Sequence, residues 1–311
     1  MRRVILIAAT LLAVFASAPT AQDAPPAPNR QSQVFRSAVD IVSLNVTVVD
    51  GAAHYVTDLD QNDFSVFEDG VKQDVTFFTR RQQQIAMSML LDSSASMEDK
   101  LQTLQTAAVN FVKRLKPADL AQIIDFDSSV QIRQGFTSNQ GDLESAILQT
   151  AAGGSTSLHN AIYISLKELR KIRVQAEEDV RRQALIVFSD GEDTSSLVSF
   201  DEVLDLAKRS ETAIYTIALR GTDSNSRGFR EAEFVMRQLA SETGGRSFFP
   251  SKIQELDAVY GQIADELASQ YTIGYTSKNS KTDGAFRRVI VQIARPGSVP
   301  RTKRGYYGPK G

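Results

Sequence analysis

The sequence predicts an α/β protein whose doubly wound, mostly parallel sheet is flanked by N-terminal and C-terminal β-strands that form a small β-sandwich. Over residues 83–270, apolar runs of strand length alternate with segments of helical periodicity. This alternation is typical of a parallel sheet covered by helices on both faces. Strand patterns also occupy residues 34–82 and 271–311. Neither flank can bury a core alone, so we expect the two flanks to pair. The alternative is two independent β-extensions packed on the α/β sheet.

The N-terminus has the features of an export signal. Two arginines precede an apolar run at residues 4–15, which is too short to span a bilayer comfortably, and Ala16-Ser-Ala18 has the pattern of a cleavage site. Ala21 is a competing cleavage position. We therefore expect a signal peptide over residues 1–21 and a disordered spacer rich in Pro, Ala and Gln over residues 22–33. An uncleaved membrane anchor is the alternative. No other stretch predicts a transmembrane segment, so the mature chain is expected to be secreted or periplasmic.

The flanking strands are predicted from period-two alternation. Residues 42–48 alternate apolar and polar side chains, Phe64 and Val66 repeat the pattern, and Asp69-Gly70 is a hairpin signal before Val75 and Phe77. After the α/β segment, strands are expected at residues 271–276 and 286–294.

Within the α/β segment, the apolar pattern changes between strand and helix several times. Strands are expected at residues 85–91, 121–126, 130–136, 184–188, 213–219 and 247–249. Helices are expected through residues 101–115, 158–169, 203–207, 234–239 and 253–267.

Composition excludes several kinds of site. The formal net charge of -2 gives no reason to expect nucleic acid or an anionic membrane as a partner. The chain contains no cysteine, which excludes disulfides, thiolate zinc sites and a cysteine nucleophile. Only two histidines are present, His54 and His159, which argues against a multi-histidine transition-metal site.

Polar oxygen ligands follow the predicted strands at three places. Asp92-Ser-Ser94-Ala-Ser96 ends the first α/β strand, Thr156 follows a glycine turn, and Asp190 follows the strand at residues 184–188. In a doubly wound sheet, ligands bind at the carboxyl ends of the strands. We therefore expect the hydroxyls of Ser94, Ser96 and Thr156 to bind one divalent cation, with Asp92 and Asp190 acting directly or through water.

The chemistry of this ligand set favours capture of a partner over catalysis. Mg²⁺, or Mn²⁺ or Ca²⁺ in its place, prefers oxygen ligands, and Mg²⁺ keeps several waters. Neutral hydroxyls leave most of the double positive charge uncompensated, so a carboxylate of another molecule can replace a bound water. The expected partner is a protein that offers a Glu or Asp side chain.

Each motif also has a purely structural interpretation. Ser96 with Asp99 fits a helix capping box, Gly153-Gly154 fits a turn, and Asp190-Gly191 fits the start of a loop. Thr156 or Ser157 could be a helix N-cap. The order of the three motifs along one predicted sheet edge favours the metal site over these alternatives.

The motifs resemble the metal-ion-dependent adhesion site of the von Willebrand factor type A domain. The resemblance rests on Asp92-x-Ser94-x-Ser96, Thr156 and Asp190, and on their context in Gly153-Gly-Ser-Thr-Ser-Leu158. It covers roughly residues 83–270 and departs at Ala95, where many relatives carry glycine. The flanks, including Asp63-Phe-Ser-Val-Phe-Glu-Asp-Gly70, are similar to those of acidobacterial VWFA-related proteins. In this fold Asp125 and Asp127 are expected behind the metal loops, in a supporting or structural role.

The resemblance implies an exported, metal-dependent protein-binding module without enzymatic activity. One alternative is a magnesium-dependent phosphohydrolase, but Ser94 stands where such an enzyme would need a second carboxylate. Another is a structural envelope protein with an empty metal site. The local excess of cations near the C-terminus predicts a solvated sheet edge, with attraction to an acidic partner as the alternative. These cations are Arg287, Arg288, Arg301, Lys303 and Arg304.

Overall fold

A computed structural model describes residues 41–172, 181–189, 193–219 and 227–311 of the chain. The predicted signal peptide and spacer lie outside the described residues, as does Asp190. The strands are β1 (Ile41–Val49), β2 (Phe64–Glu68), β3 (Val71–Gln73), β4 (Val75–Thr79), β5 (Ile85–Asp92), β6 (Leu120–Phe126), β7 (Val130–Thr137), β8 (Arg182–Ser189), β9 (Thr212–Ala218), β10 (Ser247–Phe248), β11 (Tyr271–Thr276), β12 (Phe286–Ile293), β13 (Val299–Arg301) and β14 (Gly305–Tyr307). The α-helices are α1 (Leu101–Val112), α2 (Gln140–Leu148), α3 (Leu158–Lys171), α4 (Phe200–Arg209), α5 (Arg227–Thr243) and α6 (Leu256–Ala268).

The central sheet has six strands in the order β10-β9-β8-β5-β6-β7. Every neighbouring pair is parallel except β6 and β7, which are antiparallel. Every residue of β5 is buried, because helices cover both faces of the sheet. One face packs against α1, α2 and α6, and the other packs against α3, α4 and α5. None of the helices in the described ranges is long and apolar enough to cross a membrane.

Strands from the two flanks of the sequence form two further sheets of four strands each. One has the order β13-β1-β11-β4 and the other the order β14-β12-β2-β3. β1 pairs with β11, and β2 pairs with β12, in each case antiparallel. Their inward side chains share one apolar cluster, which includes Leu44, Val66 and Ile273. The predicted fold class, a mostly parallel α/β sheet with additional antiparallel strands, is confirmed.

The predicted hairpin differs from the structure in the strand that follows the turn. Asp69 and Gly70 form the turn with φ angles of 47° and 83°, which suits the tight turn expected for Asp-Gly. The turn leads into the three-residue strand β3, which pairs with β2. Val75 and Phe77 instead belong to β4, which pairs with β11 in the other sheet. The chain therefore crosses between the two sheets directly after the hairpin.

Arg287 corrects the expectation of a solvated, basic sheet edge. Its side chain is 2% exposed and lies 3.6 Å from the carboxylate of Glu68, which is 1% exposed. The guanidinium also donates to the Ser277 hydroxyl at 3.0 Å and to the Asn279 carbonyl at 2.9 Å. Arg288, the next residue, lies on the exposed face of β12. The expectation was wrong for Arg287. The carboxylate that compensates its charge belongs to Glu68, which is distant in sequence, so the local pattern of charges could not identify it.

Candidate metal centre

Asp92 is fully buried at the carboxyl end of the central strand β5. Its Oδ1 accepts a hydrogen bond of 2.9 Å from the backbone N–H of Ser94, and its Oδ2 accepts one from the hydroxyl of Ser189. Ser189 is the last residue of the neighbouring strand β8. Both strands therefore deliver polar side chains to one sheet edge, as expected at the carboxyl ends of parallel strands. Ser189 was not predicted from the sequence, although it directly precedes Asp190.

Ser94 and Ser96 lie at a single turn of 3₁₀-helix, Ala95–Met97. Their hydroxyl oxygens are 3.1 Å apart. The side chain of Ser94 makes no capping hydrogen bond, and α1 begins at Leu101 after Lys100. Because Ser96 is not at the N-cap of α1, the structure does not contain the capping box that the structural alternative requires.

The glycine turn is joined to the Asp92 loop by two backbone hydrogen bonds. Gly153 N–H donates to the Ser93 carbonyl at 2.8 Å, and Ala95 N–H donates to the Gly154 carbonyl at 3.1 Å. Gly154 has a φ angle of 70°, and a Cβ at this position would lie 2.8 Å from the hydroxyl of Ser128. Glycine is therefore required both by the left-handed backbone and by the close approach of a neighbouring loop.

Thr156 is held by the loop that follows Asp190. Its N–H donates to the Thr194 hydroxyl at 2.9 Å, and its carbonyl accepts from the N–H groups of Thr194 and Ser195 at 2.8 and 3.1 Å. Thr156 is 6% exposed. Ser157 precedes α3 but makes no side-chain capping bond. These contacts fix the backbone of the second hydroxyl loop beside the loop of Ser94.

Asp125 and Asp127 both lie near the end of β6, but they make different contacts. Asp125 is 4% exposed in its side chain and pairs with Arg133 of the adjacent strand at 2.8 Å. Asp127 accepts a 2.7 Å hydrogen bond from the N–H of Ser129, and its carbonyl accepts one of 2.8 Å from the N–H of Ser157. Asp127 thus shapes the β6–β7 turn and supports the loop that carries Thr156.

Asp193 is a further polar residue near the site that was not predicted from the sequence. Its Oδ1 accepts hydrogen bonds from the N–H of His159 at 3.1 Å and from the hydroxyl of Ser196 at 2.5 Å. The Nδ1 of His159 lies 3.6 Å from the other carboxylate oxygen. Asp193 therefore ties the start of α3 to the loop after β8. Its position in the sequence, three residues after Asp190, was the only available signal.

The chemistry of the described side chains fits a hard divalent cation. No group of three or more His, Cys, Asp or Glu side chains that could hold a metal occurs among the described residues. The described candidate donors are the Asp92 carboxylate and the hydroxyls of Ser94, Ser96 and Thr156. Adjacent ligands of octahedral Mg²⁺, each about 2.1 Å from the metal, lie about 3 Å apart. The 3.1 Å separation of the Ser94 and Ser96 oxygens agrees with that spacing.

Comparison with known proteins agrees with this architecture. A family model of the von Willebrand factor type A domain matches residues 87–262. The inter-alpha-trypsin inhibitor heavy chain H1 of Sus scrofa is 25% identical over 199 residues, which cover 60% of this chain and 21% of that protein. The chain thus spans about a fifth of the length of that relative.

The fold is similar to that of a solved structure at low sequence identity. A von Willebrand factor type A protein from Catenulispora acidiphila is 10% identical, with a TM-score of 0.52, and the match covers 81% of this chain and 76% of that one. The vWF domain of the type V pili tip protein Mfa5 from Porphyromonas gingivalis is 13% identical, with a TM-score of 0.49, over 60% of this chain and 95% of that one. Because the family model matches more than half of the 311 residues, the chain belongs to the von Willebrand factor type A domain family.

Proposed function

We propose that this protein is a protein-interaction module that holds a divalent cation with Asp92, Ser94, Ser96, Thr156 and Asp190 and captures a Glu or Asp of its partner through that cation. Domains of this family generally serve as adhesion or interaction modules. The observation that carries the proposal is the pair of serine hydroxyls 3.1 Å apart beside the buried Asp92 carboxylate.

Some residues of the site orient the Asp92 carboxylate, and others would bind the cation. The N–H of Ser94 and the hydroxyl of Ser189 fix the carboxylate of Asp92 from two sides. Ser94, Ser96 and Thr156 would offer neutral oxygens, which bind a hard cation without cancelling its charge. When bound, the cation (Mg²⁺, Mn²⁺ or Ca²⁺) supplies an electrophilic position for a carboxylate. Asp92 and Ser94 are buried, and the fixed Asp92 carboxylate favours this role because its geometry needs little rearrangement on binding.

We also propose that the protein acts outside the cytoplasm, as a secreted or periplasmic protein. The support is the export pattern of residues 1–21. In the same proposal, residues 34–82 and 271–311 form the β-domain that carries the metal-binding domain of residues 83–270. Cell fractionation followed by N-terminal sequencing tests the export step: recovery of the protein only from the cytoplasm, with Met1 intact, would contradict it.

The metal-dependent step is tested by partner capture from an envelope extract, with and without a chelator. Capture should require added Mg²⁺ or Mn²⁺ and should be lost in Asp92→Ala. The exposed Asp99, which follows the same loop, gives a matched control, and Asp99→Ala should capture normally. A thermal-shift titration accompanies the pulldown, because a ligand that binds the native state must stabilise it. Capture that is unchanged by chelator, or a melting temperature that is unchanged by millimolar metal, would refute the proposal.

A further inference from the structure

A cavity of about 140 Å³ lies where the central sheet of the α/β body meets the β-sandwich. Its walls are the starts of β8 and β9, part of β1 and residues 302–303. Three cations line it, Arg181, Arg182 and Lys303, and within the described ranges Glu211 is the one acidic side chain that does so. The volume has room for several waters, so a small solute can enter, and the excess of positive charge favours an anion.

Arg182 carries a positive charge into the interior without an acidic partner. The residue is 3% exposed. Its guanidinium donates to the carbonyls of Leu267 and Gln270 at 3.2 and 2.9 Å, and to the hydroxyl of Thr272 at 3.0 Å. These acceptors are all neutral, and the Nε has no hydrogen-bond partner in the described part of the chain. Burial lowers the pKa of Arg182 to about 10, and no carboxylate opposes that change. Because a buried charge is unfavourable without a counter-charge, an anion in the cavity would stabilise this arrangement.

Lys303 is a second cation whose charge is poorly compensated. Its side chain is only partly exposed, and burial lowers the pKa of its ammonium group. Glu211 acts in the opposite direction on that pKa, but Glu211 is exposed and does not come within ion-pair distance of the ammonium. The backbone of Lys303 is fixed, since a Cβ on Gly244 would lie 2.5 Å from its nitrogen. Among the residues that the structure describes, none accepts a hydrogen bond from the ammonium, so its donors remain available.

Neutral donors from β1 complete the lining. Ser43 and Asn45 line the cavity, and β1 pairs with β13 only at residues 47–49, beyond both of them. The hydroxyl of Thr272, which accepts from Arg182, donates to Asn45 Oδ1 at 3.2 Å. That contact orients the amide of Asn45 and leaves its N–H groups to donate. The cavity therefore combines two cations with a hydroxyl and an amide.

We propose that this cavity binds a small inorganic oxyanion, phosphate or sulfate, through Arg182, Lys303, Ser43 and Asn45. Such an anion presents several acceptor oxygens to donors from different walls, and hydrogen bonds between charged groups are the stronger ones. The bound anion would hold the α/β body and the β-sandwich together, because its donors come from both. A peptide or a larger ligand is excluded by the volume.

The oxyanion site is separate from the proposed metal centre. Arg182 begins β8, and Ser189, which contacts Asp92, ends it. At a rise of roughly 3.3 Å per residue, the two ends of this strand are about 23 Å apart. The two sites therefore lie at opposite edges of the central sheet.

Calorimetric titration of the full chain with sodium phosphate, sodium sulfate and sodium chloride, without divalent cations, tests the proposal. Phosphate and sulfate should each bind saturably at one site, and chloride should bind much more weakly. Loss of one charge-assisted contact in Lys303→Gln should weaken phosphate binding about tenfold. The matched control is Lys113→Gln, which removes an exposed cation that does not line the cavity and should bind like the wild type. Since no divalent cation is present, the outcome is independent of the proposed metal-dependent function.

Asn45→Asp provides a second test, because it places a carboxylate of nearly the same shape inside the cavity. Its Oδ1 can still accept from Thr272. This variant should lose phosphate binding, and without added anion it should melt at a higher temperature than the wild type. Phosphate and sulfate stabilise folded proteins non-specifically at high concentration, so the titrations stay at low millimolar concentration.

Three results would overturn the proposal. The first is the absence of saturable phosphate and sulfate binding by the wild type. The second is phosphate binding that is unchanged in both Lys303→Gln and Asn45→Asp. The third is chloride binding as tight as that of phosphate, because the site would then recognise charge without recognising an oxyanion.

Discussion

Replacement of Arg287 by methionine should destabilise the β-sandwich strongly. The arginine and Glu68 are both buried, 3.6 Å apart. The carboxylate of Glu68 also accepts 2.9 Å hydrogen bonds from the hydroxyls of Tyr275 and Tyr306. Methionine keeps most of the apolar stem of arginine but removes the charge, so that Glu68 would be left as a buried anion without its cation.

The expected magnitude follows from that uncompensated charge. Removal of one partner from a buried ion pair typically costs about 3–5 kcal/mol. The hydroxyls of Tyr275 and Tyr306 would still donate to Glu68, so we expect the lower end of that range, about 3 kcal/mol. Arg288→Met is the matched control, because Arg288 lies on the exposed face of the same strand. Exposed substitutions usually change stability by about 0.5 kcal/mol or less.

Urea unfolding followed by far-ultraviolet circular dichroism measures the difference between the two variants. The chain has no tryptophan, so tyrosine fluorescence provides the second probe. Arg287→Met should unfold at clearly lower urea than Arg288→Met, with an unchanged slope. Equal midpoints for the two variants would refute the argument that the Glu68–Arg287 pair is a buried, mutually compensating unit.

Three further predictions concern single substitutions. Thr156→Ala should weaken Mn²⁺ binding about tenfold in a calorimetric titration, while Thr156→Ser should bind normally; equal affinities would remove Thr156 from the ligand set. Gly245→Ala should lower the free energy of unfolding, measured in urea, by at least about 1–3 kcal/mol, because its Cβ meets the Ile214 carbonyl. Gly135→Ala adds a methyl group to open space and should lower the free energy of unfolding far less. Tyr260 has a buried hydroxyl without a hydrogen-bond partner among the described residues, and burial raises its pKa. In the unfolded chain this tyrosine ionises near pH 10, whereas in the folded protein it stays protonated to higher pH, so it reduces the stability of the folded protein above that pH. Tyr260→Phe should reduce that alkaline loss of stability. An unchanged pH profile would contradict the assignment.

The sequence predicts the central strands well because their apolar runs are continuous. It misses the helix α2, whose buried side chains are only Leu143, Ala146 and Ile147. It also misses β13 and β14, which have three residues each. Strands this short carry too little alternation to be recognised without their partners.

In the candidate site, the local motifs are predicted from the sequence, whereas the contacts between residues distant in sequence are not. Asp92 and Ser94 are predicted because the motif directly follows an apolar strand. The hydrogen bond from Ser189 to Asp92 joins residues far apart in sequence, and the burial of Arg287 depends on the equally distant Glu68. Such contacts arise from the order of strands in the sheets, which periodicity alone does not specify. The placement of Asp190 remains a prediction.

A crystal structure of the protein soaked with Mn²⁺ tests the proposed metal centre most directly. The anomalous signal of manganese identifies the cation without reference to the protein atoms. We predict one peak at the carboxyl end of β5, bound by the hydroxyls of Ser94, Ser96 and Thr156, with an open position toward solvent or toward a carboxylate of a neighbouring molecule. A structure without a peak at this edge, or with the cation bound elsewhere, would contradict the proposed function.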